Sequence, residues 1–346
     1  MKYNREELLN ALQKLIPATS EANMGVDGMD SFVFDSEAIH TYNDSLSITV
    51  QYKTGLEGAV KAKDLFKLLS KVKTTEIDIE PEDGFWTISA GGTKAKINLK
   101  EDQIRKYLNT LPLDGEFKPL PENFFNGLKL CRISGNSSYL RGIYVQGSDM
   151  VATDEIRLNY FTLAENMDPF WVDDSSINEL LKLKEGMTEY HVSGGWVLFR
   201  GDSGTIFSCR KNQDSSYPYD KLMEYKTMFV KADTDIEQVL PRGFSDMTDR
   251  VGVMYEDVNG FHAVSVHMRK EGFTLSSKTD AGMIKESGKW DKPFDSEIDI
   301  TFKADFEFLS DIAEKCPEFY LRQTEGYVDI VFSNPEFMQV MKTIAE

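Results

Sequence analysis

Three stretches of this chain follow one plan: an amphipathic helix, a strand, a tight turn containing Gly, and a second strand. The first has the helix Asp64–Lys73, the strand Glu76–Glu80, the turn Glu82-Asp83-Gly84 and the strand Phe85–Ala90. The second has the helix Ser175–Leu183, the strand Glu189–Ser193, the turn Gly194-Gly195 and the strand Trp196–Gly201. The third has the helix Asp305–Lys315, the strand Phe319–Gln323, the turn Glu325-Gly326 and the strand Tyr327–Phe332. Recurrence at roughly 110–130 residues points to three similar domains rather than one large catalytic body. A chain of 346 residues also exceeds one ordinary core.

Each domain opens with a further helix. Arg5–Ile16 places Leu8, Leu9, Leu12 and Leu15 on one face, and Pro17 ends it. Glu122–Ile133 turns Phe124, Phe125 and Leu128 inward, and Thr234–Leu240 is the third opening helix, cut short by Pro241 and Gly243. Between the paired helices, Ser45–Val50, Leu140–Gln146 and His262–Met268 alternate as half-buried strands do. Turns at Gly147-Ser148-Asp149 and Asn259-Gly260 punctuate them. The fold class is therefore α+β: three similar domains, each with two helices packed on one face of antiparallel sheets. Leu111–Glu116 reads as the first linker, and a second runs from the Tyr217-Pro218-Tyr219-Asp220 strand end to about Thr227. The domains are placed at 1–114, 115–226 and 227–346.

Nothing in the chain marks a reaction centre. It lacks GxSxG, a P-loop, a GxGxxG after a strand and HExxH. Gly91-Gly92-Thr93-Lys94 follows a strand but opens no helix, so it reads as a turn. His262 and His267, five apart on a strand, point to opposite faces and cannot share a metal. Asp173-Asp174 reads as a helix start, where negative charge meets the helix dipole. Neither catalysis, nor a metal, nor a cofactor is expected. Cys131, Cys209 and Cys316 are sparse and odd in number, which fits a reducing cytoplasm. The stretch Met1-Lys2-Tyr3-Asn4-Arg5-Glu6-Glu7 lacks the apolar core of a secretion signal and no apolar run approaches the length needed for a bilayer, so no membrane partner is expected.

The net charge of −18 opposes binding to phosphates on average, which leaves its distribution to decide. Lys63, Lys67 and Lys71 recur at i, i+4 and i+8 and so stack on one helical face, with Lys73 extending the cluster and Asp64 the only counter-charge. Lys129 and Arg132 pair at i, i+3 in the second domain, Lys182 and Lys184 end its other helix, and Arg5 and Lys14 add to the first. The third domain is poorer, with Asp305, Glu307, Asp311 and Glu314 on its last helix. Basic residues without a base-reading code would bind any duplex weakly, which is the physics of sliding.

On these features, and on two segments of the second domain, the chain resembles the DNA polymerase III beta subunit, the sliding clamp. Ser138-Tyr139-Leu140-Arg141-Gly142-Ile143-Tyr144-Val145 is similar to its Tyr-Leu-x-Gly segment, and Val151-Ala152-Thr153-Asp154-Glu155-Ile156-Arg157-Leu158 to its Val-Ala-Thr-Asp-x-x-Arg-Leu segment. Tyr217–Asp220 resembles the family's Phe-Pro-Asp-Tyr, and Phe337–Lys342 its terminal strand. The resemblance implies a DNA clamp fold and a head-to-tail homodimer ring around double-stranded DNA, with helices lining the hole, acidic sheets outside, and Arg5, Lys14, Lys63, Lys67, Lys71, Lys73, Lys129, Arg132, Tyr139, Lys182 and Lys184 toward DNA. It implies a processivity factor that tethers DNA polymerase and the clamp loader. Their peptides would enter a pocket of Tyr139, Leu140, Thr153, Ile156, Arg157, Leu158, Met223, Phe337 and Met341. The chain departs from the pattern at Glu155 and Ile156, at Gln339 and Val340, and in Ser134–Ser138, which lacks the family's Arg and first aromatic. Two other classes fit the composition: a ring or tube protein that never holds DNA, and an acidic mimic of DNA.

Overall fold

The computed structural model describes every residue except 21–27, 134–137, 214–216, 234, 259–260, 325–326 and 346. Its helices are α1 (Arg5–Leu15), α2 (Ala62–Lys71), α3 (Arg105–Leu108), α4 (Phe124–Cys131), α5 (Asp174–Lys182), α6 (Tyr219–Met228), α7 (Phe244–Gly252) and α8 (Phe306–Lys315). Three begin on side chains that satisfy open backbone donors. Asn4 accepts from the amides of Glu6 and Glu7, Asp173 from that of Ser175, and Asp305 from those of Glu307 and Phe308. Their apolar stripes are buried: Leu8, Leu12 and Leu15 on α1, Ile177 and Leu180 on α5, Leu309 and Ile312 on α8. None of the helices among the described residues is long and apolar enough to cross a membrane.

The chain divides into two compact units. One comprises Met1–Phe125 with Asp168–Asp214, the other Asn126–Met167 with Ser215–Glu346. The division differs from the sequence repeat, because residues expected in the second domain fall in both units. The first unit is built on a twelve-stranded antiparallel sheet that includes strands of the first and second repeats. In it Leu46–Gln51, the fourth strand of the first repeat, pairs with Ile206–Arg210, the last long strand of the second repeat. The second unit holds a six-stranded sheet and a further sheet on Gly282–Lys289, Gly272–Thr279, Phe261–Arg269 and Asp299–Asp305. There Arg157–Phe161 pairs with Phe337–Met341 in the same way, the middle of one repeat to the last long strand of the next. The same joint thus occurs twice.

Most repeated elements lie where the sequence places them, shifted by one or two residues at their ends. Four readings change. The helix expected over Thr234–Leu240 is not formed by its described residues: Ile236–Val239 is a strand paired with Glu318–Leu321, and the helix begins after Gly243, whose φ of 80° suits glycine. Phe244, Thr248 and Val251 at i, i+4 and i+7 supply its buried face. Gly147 does not end a strand. Ile143–Thr153 runs through it, bent at its φ of 61°, and Leu140 lies before the strand begins. The segment read as a linker up to Thr227 is helix α6. Leu111 is buried against Ile104, Leu108, Val33 and Trp196, so the first linker is packed rather than free. The turns at 259–260 and 325–326 lie outside the described residues.

Candidate functional site

Helix α2 separates its faces as the lysine spacing requires. Ala62, Leu65 and Leu69 are buried while Lys63, Lys67 and Lys71 are exposed, and Lys73 is exposed just beyond the helix end. A cleft of about 990 Å³ runs along this face in the first unit. Lys61, Lys63 and Lys67 line it together with Lys182 of α5, and Ile16, Pro17 and Phe66 are among the apolar residues of its lining. The structure therefore brings together lysines that stand 115 or more positions apart in sequence. Lys61 was missed by sequence reasoning because it stands just before the helix, outside its lysine spacing. Glu179 pairs with Lys182 at 2.7 Å and Asp30 also lines the cleft, which tempers its charge. Lys14 and Lys184 are exposed at the ends of α1 and α5. Arg5 is turned inward instead: its Nη1 donates to the Leu69 carbonyl at 3.3 Å, which satisfies an open acceptor in the last turn of α2.

In the second unit Lys129 is exposed on α4, Arg132 is half-buried, and Tyr139 is 71% exposed. Residues 134–137 of the Ser134–Ser138 loop lie outside the described residues. The helices of the third repeat carry the opposite sign. Asp246 and Asp249 on α7 and Glu307 and Glu314 on α8 are exposed. Arg250 is held by both oxygens of Glu286 at 2.6 and 2.7 Å, and Lys315 is turned onto Asp311 at 2.7 Å.

The nine residues assigned to a peptide pocket do not form one surface. Leu158 packs with Val151, Tyr160, Phe229, Tyr320, Val331 and Val340, and Tyr219, Leu222, Met223, Tyr225 and Met338 lie against that cluster. The register sets Leu158 opposite Val340 and Tyr160 opposite Met338, but Arg157 opposite Met341 and Phe161 opposite Phe337. Side chains alternate across a strand, so Met341 and Phe337 belong to the other face, and both are buried there. Arg157 is 5% exposed, ion-paired with Asp154 at 2.7 Å and stacked 3.3 Å from the Phe308 ring. Thr153 locks the turn through its hydroxyl, which donates to the Arg157 carbonyl at 2.7 Å, and Leu140 is buried. Ile156 and Met223 are half-buried. Helix α6 lies over the cluster with no fully buried residue. It is tied down by Tyr219, whose hydroxyl donates to Asp149, and by Lys226, whose ammonium sits 3.0 Å from the Tyr160 ring centroid. Burial and the Asp149 carboxylate push the Tyr160 phenol up to about 12, and burial pulls the Lys226 ammonium down.

Among the described residues no group of three or more His, Cys, Asp and Glu is placed to hold a metal. The three cysteines are buried and free, and burial pushes their thiols up, away from the reactive thiolate.

No family model matches the sequence, and no curated protein does. Solved structures do match. The beta chain of DNA polymerase III from Streptococcus pneumoniae superposes with a TM-score of 0.81 at 15% identity, over 100% of this chain and 99% of that one. The fold is that of a sliding clamp. The sliding clamp of Bartonella birtlesii, bound to griselimycin, matches at a TM-score of 0.79 and 17% identity, over 100% of this chain and 99% of the other. The Helicobacter pylori beta clamp, bound to a DNA ligase peptide, matches at 0.75 and 14% identity with the same coverage. The clamp fold accounts for the repeated joint, and the low identity accounts for the silence of the sequence comparisons.

Proposed function

We propose that this chain is a DNA sliding clamp: a non-catalytic processivity factor that closes as a head-to-tail homodimer around double-stranded DNA and tethers DNA polymerase and a clamp loader. The observation that carries the proposal is the joint used twice within the chain. Each time, the fourth strand segment of one repeat pairs with the eighth of the next. Two such strands have open stretches, Thr93–Lys100 of the first repeat, where only Leu99 and Lys100 go on to pair with Val60 and Ala59, and Gly282–Lys289 of the third. Thr93–Asn98 pairs on one side with Phe85–Ala90, and Gly282–Lys289 on one side with Gly272–Thr279. An edge strand with open N–H and C=O groups is a ready template for another chain. Two copies arranged head to tail satisfy both edges with the joint already in use, and the assembly closes.

The lysine-lined cleft on α2 and α5 supplies the DNA side. Contacts to phosphates alone give weak, salt-dependent binding that allows sliding, and topological enclosure makes tight binding unnecessary. The acidic helices of the third repeat imply that the duplex leans on the first and second repeats. The Leu158–Val340 cluster and α6 supply the partner surface. Methionines there, Met223 and Met338, suit a site that accepts several peptides.

The test is retention on circular DNA. Loaded protein stays on a closed circle through a high-salt wash and is lost once the circle is cut. Equal loss from both forms would remove the ring.

A further inference from the structure

The two joints inside the chain are nearly free of charge. The first pairs Leu46, Ser47, Ile48 and Thr49 with Cys209, Ser208, Phe207 and Ile206. The second contains only Arg157, which is buried and paired with Asp154. The two open edges are different. On Thr93–Asn98, Lys94 and Lys96 are exposed while Ala95 and Ile97 are half-buried on the opposite face. On Gly282–Lys289, Lys285 and Lys289 are exposed while Ile284 and Glu286 lie on the face toward α7, where Arg250 holds Glu286. Among the described residues none of these four lysines is paired with a carboxylate. Lys96 lies 4.1 Å from the Phe85 ring centroid, which keeps its charge on the outer face.

Resting on the ring reading, we propose that these lysine rows weaken the two joints between copies through like-charge repulsion, which makes them, rather than the joints inside each chain, the ones able to open. Continuing the sheet across two copies keeps the helices on one side, so both lysine rows come to the helix-free face. Opposed side chains there lie about 4.5–5.5 Å apart at Cβ and diagonal ones about 7–8 Å. In each antiparallel register that overlaps the two strands, Lys94 or Lys96 meets Lys285 or Lys289 directly or diagonally. The helix-bearing face of the same joint carries opposite signs, with Lys67 and Lys71 on α2 against Asp246 and Asp249 on α7. Bulk salt therefore screens an attraction on one face and a repulsion on the other, and only a comparison of variants isolates the lysines.

The experiment measures the dimer dissociation constant by sedimentation for the wild type and for Lys94→Gln/Lys96→Gln, at about 50 and about 500 mM NaCl. The variant dimer is expected to be about tenfold tighter at low salt, with the gap narrowing to about twofold at high salt, where the Debye length is shorter than the lysine spacing. A variant no tighter than the wild type at low salt, or a gap that salt does not change, would overturn the proposal and leave the ring intact. Ile284→Asp separates the two readings, since it breaks a dimer built on this edge. A dimer that survives Ile284→Asp, or a monomer under every condition, overturns both.

Discussion

Leu158 and Val340 stand opposite each other on neighbouring antiparallel strands, and α6 lies over the cluster they share. Met341, the next residue, faces the other way and is 1% exposed. One residue of register thus puts Val340 in the cluster under α6 and Met341 on the opposite face of the strand. Met341→Ala should act on stability, costing about 2–5 kcal/mol as buried large-to-small changes do. Met223→Ala should barely move the melting temperature and should weaken polymerase-peptide binding several-fold. Thermal unfolding and peptide titration on the two variants check this, and a stable Met341→Ala protein that loses the peptide would contradict it.

Replacing Lys63, Lys67 and Lys71 with Ala should weaken duplex binding and flatten its salt dependence, since each lost phosphate contact lowers the slope of log K against log salt by roughly one. Arg5→Ala should leave that slope unchanged, because the guanidinium serves α2 rather than solvent. Salt titrations on a short duplex separate the two, and an equal loss of slope in both variants would place Arg5 on the DNA side.

His40 gives the fold a pH dependence. It is buried, with its ring nitrogens 2.9 Å from the Thr49 hydroxyl and 2.7 Å from Asp35. Burial lowers its pKa, against an opposing pull from Asp35. The unfolded chain, with an ordinary value of about 6.5, binds the proton first as pH falls. His40 therefore contributes full stability above about pH 6.5 and loses it as pH drops toward the folded value. Between about pH 7.5 and 5.5 the wild type should lose more melting temperature than His40→Gln. Parallel curves for the two proteins would count against the assignment.

Two glycines fix close approaches. A Cβ at Gly127 would lie 2.7 Å from the Phe161 ring, and one at Gly252 would collide with that of Phe306. Gly127→Ala and Gly252→Ala should each destabilise by about 1–3 kcal/mol through overpacking, despite alanine's better helix propensity. Denaturant unfolding measures both, and a gain in stability would mean that the rings move aside freely.

Much of the fold was legible because it rests on local signals. Buried leucines at helical spacing gave α1, and Gly-containing turns between alternating runs gave the hairpins at Gly84 and Gly194. The threefold recurrence gave the architecture. The third repeat's opening misled because Ile236, Val239 and Leu240 fall at the helical spacing i, i+3 and i+4, whereas pairing with Glu318–Leu321 makes the segment a strand. The candidate site was half legible. Lysine spacing on α2 fixes its exposed face, whereas the approach of Lys182 depends on tertiary packing that no spacing reports. The residues grouped in the expected pocket lie on two faces of one strand pair, as alternation dictates: Phe337 and Met341 on one, Leu158 with Met338 and Val340 on the other.

Imaging of the particle by negative-stain electron microscopy, on material whose mass is fixed by sedimentation, tests the central claim most directly. The account predicts a dimer closed around a central opening wide enough for duplex DNA. A stable monomer at micromolar concentration, or a dimer without a hole, would contradict it.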